Sequence, residues 1–248
     1  MKKTFPTLAS IIVLLSILLT ACGSAATPTT APVANNSSST EPLSGTISVS
    51  GAFALYPMMT VWADEFQKLN PDVQFDVQGG GAGKGMTDTI AGAMDIGMIS
   101  RSIKPEEESQ NIFWVSVAKD AVFPIISAEN PFAADIIAKG ISQETFKKIF
   151  VTGEIKTWGE VVGKPEVTDA IHVYTRSDAC GAGEMWAKSS GGSVQDDIKG
   201  IGINGEPALV DTVIKDPFGI GYSNLNSVFD MSSGGIVPGA IVPPVDIN

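Results

Sequence analysis

Basic residues are scarce in this chain: 16 Lys and Arg stand against 27 Asp and Glu, a formal net charge of −11. A balance this acidic makes a poor partner for nucleic acid or for an anionic membrane surface. Cysteine is scarcer still, limited to Cys22 and Cys180, and His172 is the only histidine. No disulfide framework can be built from that inventory, and no metal or cofactor site is implied. The apolar run at residues 8–19 falls short of the roughly 20 residues a spanning helix needs. There is no internal repeat.

What is present begins with a leader. Lys2 and Lys3 precede the apolar run, and Leu19-Thr20-Ala21-Cys22 follows it. A basic start, a short apolar stretch and a small-residue cleavage site describe a secretory signal peptide over residues 1–21. Cysteine directly after Leu-Thr-Ala resembles the bacterial lipobox, so Cys22 is expected to be the lipidated first residue of the mature chain. Residues 23–44 are almost wholly Ser, Thr, Ala, Pro and Asn, and 22–44 is read as a lipid-anchored flexible tether. Cleavage leaves 14 basic against 27 acidic residues, a net charge of −13, and Cys180 as the only free thiol.

About 200 residues remain, enough for one large or two small domains. Apolar periodicity predicts strands at 46–50, 73–77 and 95–99, and helices at 57–69 and 86–93. A second set follows, with strands at 121–126, 171–175 and 219–222 and helices at 143–150, 183–188 and 207–214. Pro57 suits the first turn of a helix, where its missing N–H would be unpaired anyway. Alternating strands and helices predict an α/β layered fold with a largely parallel sheet, in two lobes with a cleft between them.

The run Gln78-Gly79-Gly80-Gly81-Ala82-Gly83-Lys84-Gly85 joins a strand to a helix and brings bare backbone N–H groups to a helix start. That geometry suits an anion. A nucleotide P-loop is excluded twice over: its first glycine would fall on Gln78, and Gly85 replaces the magnesium-holding Ser or Thr. The dinucleotide G-x-G-x-x-G spacing is not met either.

Three more segments fall at expected helix starts: Ser50-Gly51-Ala52-Phe53-Ala54-Leu55-Tyr56-Pro57, Asp95-Ile96-Gly97-Met98-Ile99-Ser100-Arg101 and Thr175-Arg176-Ser177-Asp178-Ala179-Cys180-Gly181-Ala182. Taken in order with the glycine run, they resemble the phosphate-binding (PstS-like) solute receptors of ABC importers. The resemblance implies an α/β, two-lobed type II periplasmic-binding-protein fold, with a hinge between lobes and the ligand in the inter-lobe cleft. It divides the chain into 45–120 as the first part of lobe 1, 121–225 as lobe 2, and 226–248 as a return to lobe 1. Relatives are expected to continue beyond Pro244-Val245-Asp246-Ile247-Asn248, so that return reads as truncated. A small, phosphate-like anion would be clasped and delivered to ABC permease subunits, with no covalent chemistry. The receptor would be an extracytoplasmic monomer, bound to the cell membrane through its lipid alone.

The ligand-binding residues carried over are Ala54, Leu55, Gly81, Ala82, Gly83, Ser100, Arg176, Cys180, Gly181 and Ala182. Several depart from the family pattern. Ala52, Phe53 and Ala54 stand where Ser or Thr is usual, and Ala82, Ile99, Cys180 and Ala182 replace further hydroxyls. A hydroxyl donating to a charged oxyanion is worth roughly 1.5–3 kcal/mol, so losing three or four would cost on the order of 5–10 kcal/mol if nothing replaced them. The shell therefore suits either phosphate in a rearranged setting or a larger, partly apolar anion.

Arg176 is expected to be the charged fork for the ligand. Asp178 is expected to hold Arg176 or cap the next helix. Phe53 and Tyr56 either wall the cleft or pack the helix start. Lys84 either adds charge to the cradle or faces solvent. Trp62, Trp114, Trp158 and Trp186 are expected in the core. Two other readings remain: a secreted hydrolase using Cys180, which would need His172 as its base, and a sensor or surface protein that kept the fold without transport.

Overall fold

The computed structural model describes residues 42–246. The expected leader, Cys22, most of the tether and the last two residues lie outside the described residues. In chain order the elements are β1 (Gly45–Gly51), α1 (Tyr56–Leu69), β2 (Val73–Gly79), α2 (Ala82–Ile90), β3 (Ile96–Met98), α3 (Pro105–Glu108) and β4 (Val122–Ser127). Then come α4 (Ala133–Lys139), β5 (Ile141–Ser142), α5 (Gln143–Lys147), a π-turn (Lys148–Thr152), α6 (Trp158–Val162), β6 (His172–Arg176) and α7 (Gly181–Ser189). A 3-10 turn (Gln195–Asp197), β7 (Ile201–Ile203), α8 (Glu206–Lys215), β8 (Gly219–Asn224), α9 (Leu225–Val228), β9 (Ala240–Ile241) and β10 (Val245–Asp246) complete the order.

The first lobe is built on a three-stranded parallel sheet, β2-β1-β3. Its register sets Ile47 opposite Phe75 and Val49 opposite Val77. Alternate residues of each strand share a face, and Val49 packs with Ala52, Met59, Ala82 and Met98 in a small core. Only Met59 and Ala63 of α1 are buried. Trp62, at 39 % exposed, and Trp114, at 50 %, therefore correct the expectation that all four tryptophans are core residues.

The second lobe carries a five-stranded mixed sheet, β7-β6-β8-β4-β9. β6 runs parallel to β7 and β8, while β4 is antiparallel to β8 and β9. Both faces are covered, and the central strands β8 and β4 are the most buried, while the edge strand β7 is largely exposed. One face holds an aromatic cluster in which Trp186 stacks on Tyr222 at 5.6 Å and meets Phe146 and Phe150 edge-on. Trp158 is buried in the same cluster. The other face receives the Leu209, Val210 and Val213 stripe of α8, packed with Ile125 and Val228.

The last stretch departs from the expected return to lobe 1. β9 pairs with Ile126 and Ser127 of β4, and β10 pairs in parallel with β5. The cause is apolar burial: Ile241 packs on the aromatic cluster, and Val237 and Val242 pack on the α8 side. No helix among the described residues is long and apolar enough to cross a membrane.

Candidate functional site

Strand β6 ends at Arg176, the next four residues turn, and α7 begins at Gly181. The Arg176 side chain is 2 % exposed and forks onto Asp178, with Nε donating to Oδ1 at 2.7 Å and Nη2 donating to Oδ2. Its Nη1 end lies 3.8 Å from Oε2 of Glu206, a residue only 1 % exposed at the start of α8. The ring of Phe53 lies over the guanidinium, 5.6 Å from centroid to Cζ. One cation thus faces two carboxylates and an aromatic face, in surroundings where each term is strengthened by exclusion of water.

Burial alone would raise the Asp178 pKa, but the Arg176 fork and the Gly205 N–H, which donates to Oδ1 at 2.9 Å, hold it below the usual carboxylate range. Glu206 goes the other way. Burial pushes its pKa up, despite hydrogen bonds from Ser223 Oγ and the Asn224 N–H and the neighbouring Arg176 charge. The turn is held from behind by Gln195, whose Nε2 donates to the carbonyls of Arg176 and Asp178 and whose Oε1 accepts the Cys180 N–H.

The first lobe meets this turn directly. The Gly83 N–H donates to the Ala179 carbonyl at 3.1 Å, and the Gly181 N–H donates to Ser100 Oγ at 3.3 Å. Glycine is required on both sides of the contact: a Cβ on Gly81 would lie 2.5 Å from Asp178 Oδ2, and one on Gly181 would overlap the Ser100 carbonyl. Gly81, Gly83, Ser100, Arg176, Cys180 and Gly181 therefore belong to one cluster.

The expected cradle of open backbone donors needs correction. The N–H groups of Gly80 and Gly81 both donate to the Gly51 carbonyl at 3.0 Å, and that of Gly83 is taken by Ala179. The loop spends those donors on holding itself against β1 and against the second lobe. Lys84 folds back over Gly80 and pairs with Asp88, which also accepts the buried Ser50 hydroxyl.

The positions where hydroxyls are missing are packed. Ala82 is fully buried in the first-lobe core; Ala182 and Cys180 are buried in the aromatic cluster. Ile99 packs against the first-lobe core. Cys180 caps α7, its sulfur accepting the Gly183 N–H at 3.4 Å as a serine oxygen would. Burial, only partly offset by Arg176, pushes its thiol up to about 11. His172 is half-exposed and hydrogen-bonded to Asp216 at 2.7 Å, so the described contacts of Cys180 and His172 do not include each other. Ala54 and Leu55 form the turn into α1, where Leu55 packs on the first-lobe core. From that loop, Phe53 is the side chain that reaches Arg176.

Glu206 and Gln195 are absent from the sequence expectations. Gly205-Glu206-Pro207 carries a usable signal, an acidic residue in the first turn of a helix. Gln195 carries none.

A family model described as a PBP superfamily domain matches residues 36–243. The chain is 29 % identical to the phosphate-binding protein PstS of Bacillus subtilis (strain 168), over 97 % of this chain and 78 % of that protein. It is also 29 % identical to phosphate-binding protein PstS 2 of Streptococcus pneumoniae TIGR4, over 48 % of this chain and 38 % of that protein. Among solved structures, a Clostridium perfringens protein with bound phosphate superimposes with a TM-score of 0.68 at 24 % identity, covering 82 % of this chain and 77 % of that one. With two α/β sheet systems meeting at Arg176 and a family model spanning most of its length, the chain belongs to the PBP superfamily.

Proposed function

We propose that this chain is a PstS-like substrate-binding protein, which captures a small oxyanion, phosphate foremost, and delivers it to an ABC importer. One observation carries the reading: the first-lobe segments at Gly83 and Ser100 close onto the turn that holds Arg176, the buried cation of the site. The relatives' names, phosphate-binding protein PstS, support phosphate as the first ligand to try. Ligand contacts are assigned to Arg176 and Ser100 and to the positions of Ala54, Leu55, Gly81, Ala82, Gly83, Cys180, Gly181 and Ala182, where the N–H groups of Gly81, Gly83 and Gly181 must first leave their present acceptors. Packed alanines leave few hydroxyl donors, so affinity rests on the guanidinium and the helix starts.

Binding without turnover is the assigned chemistry. A buried thiol pushed up to about 11, with no base among its described contacts, is a poor nucleophile. The mature chain is assigned an extracytoplasmic place, anchored through lipidated Cys22 by the tether to residue 44, and acts as a monomer. Its lobes divide as 45–120 and 121–225.

Isothermal titration of the mature chain against phosphate, sulfate, methylphosphonate and acetate tests the reading. Saturable binding of phosphate, lost on Arg176→Gln, is expected. A folded chain indifferent to all four anions would sink it.

A further inference from the structure

Phe53 occupies an unusual place for a ring. It is carried by the turn between β1 and α1 in the first lobe, yet its ring covers Arg176 of the second, 5.6 Å from centroid to Cζ. It is wedged there from several sides. A Cβ on Gly79, at the end of β2, would lie 2.6 Å from ring Cε1, and one on Gly205, the residue before α8, would lie 3.6 Å from Cε2 and Cζ. The Phe53 carbonyl accepts a hydrogen bond from Asn226 Nδ2 at 3.4 Å. The ring therefore fills the junction between the β2 end, the α8 start and the guanidinium.

Arg176 has its Nε–Nη2 edge hydrogen-bonded and one face covered, and its Nη1 end turned to a carboxylate without a hydrogen bond. Asp178 takes Nε and Nη2, Glu206 faces Nη1 beyond hydrogen-bond reach at 3.8 Å, and Phe53 lies on the face. An oxyanion that takes guanidinium hydrogens in a fork must approach in the plane of the group, and it brings a shell of oxygens that needs room beside the ring. Something must yield. Asp178 is held by two Arg176 nitrogens and by Gly205 N–H. Glu206 is buried and held by Ser223 Oγ and Asn224 N–H. Phe53 is only half-buried and sits on a turn, with no polar side-chain atom to anchor it.

We propose that Phe53 is the affinity gate of the site: its ring shields Arg176, and an oxyanion gains the guanidinium by displacing it. The proposal deepens the oxyanion-receptor reading and rests on it. The ring stabilises the covered state by stacking on the cation and by burying apolar surface, and both contributions oppose ligand entry. Removing the ring removes that opposition without touching any of the hydrogen bonds that hold Arg176.

The test compares the wild-type mature chain with Phe53→Ala, Phe53→Leu and, as a control on a ring far out in solvent (94 % exposed), Phe113→Ala. Each is titrated calorimetrically with inorganic phosphate, sulfate and methylphosphonate, and circular dichroism melts report folding. Phe53→Ala is expected to bind phosphate at least about ten-fold tighter than wild type, with Phe53→Leu between them and Phe113→Ala unchanged. If wild type binds phosphate and folded Phe53→Ala binds no tighter, the gate is overturned and the receptor reading stands. If no folded chain binds any of the three anions, both fall. Should Phe53→Ala not fold, Phe53→Leu decides: it keeps apolar bulk but loses the flat stacking face, and equal affinity to wild type overturns the gate.

Discussion

Arg101 and Arg176 each close a fork with a carboxylate on their own stretch of chain. Arg101 donates from Nη1 to Glu107 Oε2 at 2.8 Å and from Nη2 to Oε1, while Arg176 uses Nε and Nη2 on Asp178. Both side chains are nearly buried, at 8 % and 2 % exposed. The surroundings differ. Glu107 also accepts the Lys104 N–H, so the first fork ties the start of the short α3 to the end of the Ser100-Arg101 motif. Around the second fork stand another carboxylate, an aromatic ring and the starts of two helices from opposite lobes. The first arginine is an anchor, and the second is a charge with more partners than its fold needs. A motif arginine therefore takes its role from what else faces it, which the motif does not contain.

The widest way to break this comparison is to remove each cation in turn. Arg176→Ala leaves Asp178 and Glu206 buried without a counter-charge, and should cost about 3–5 kcal/mol of stability together with all oxyanion binding. Arg101→Ala leaves one carboxylate that stands closer to solvent, and should cost about 1–3 kcal/mol with phosphate binding retained. Urea denaturation followed by circular dichroism gives the first quantity, and calorimetric titration the second. Equal loss of binding in both variants would erase the distinction between anchor and ligand charge.

A smaller effect sharpens it through pH. The Arg101 fork holds the Glu107 carboxyl below its ordinary value, so the stability it contributes is present above that value and lost as pH falls through the folded pKa. Burial raises Glu206 instead, so its contribution is present in acid and lost as pH rises from the ordinary carboxylate value through the raised one. The two sites thus pull in opposite directions. Glu206→Gln should lose less stability than wild type between pH 4.5 and neutrality, while Glu107→Gln should lose less below pH 4.5. Denaturant midpoints across pH read both, and parallel curves for all three chains would refute the assignment.

Much of this architecture was legible beforehand, for a physical reason. Strands whose apolar residues alternate, such as Val73, Phe75 and Val77, carry their face in their spacing, and Pro57 marks the first turn of α1. The four segments were singled out by their place at expected helix starts and by their resemblance to a family; that glycine is demanded where Gly181 approaches Ser100 is visible only in the fold. What stayed hidden depends on distance in sequence. Gln195 reaches back to staple the Arg176 turn, and Glu206 arrives beside Arg176 from another helix start. Donor occupancy was hidden too: that Gly80 and Gly81 spend their N–H groups on the Gly51 carbonyl follows only from the sheet register. The course of residues 240–246 into the second lobe was set by apolar burial that a short, Pro-containing stretch does not announce.

The smallest expected effect lies at Cys180, which reports how fully Arg176 is neutralised. Burial raises its thiol to about 11; Arg176 pulls that value down, and Asp178 and Glu206 push it back up. A guanidinium free of carboxylates would leave a more acidic thiol, and the thiolate is the form that alkylates. In the native chain near pH 8, Cys180 should therefore resist iodoacetamide and react only once urea unfolds the protein. Glu206→Gln removes one of the opposing charges and should speed native alkylation modestly near pH 9, while Glu107→Gln, at the other arginine, should not. Peptide-resolved mass spectrometry of the mature chain reads Cys180 directly. Native Cys180 that alkylates as fast as an unfolded thiol would contradict its burial, whereas equal native rates in wild type and Glu206→Gln would mean that Glu206 does not oppose Arg176 at the thiol, and the contrast with Arg101 would have to be drawn elsewhere.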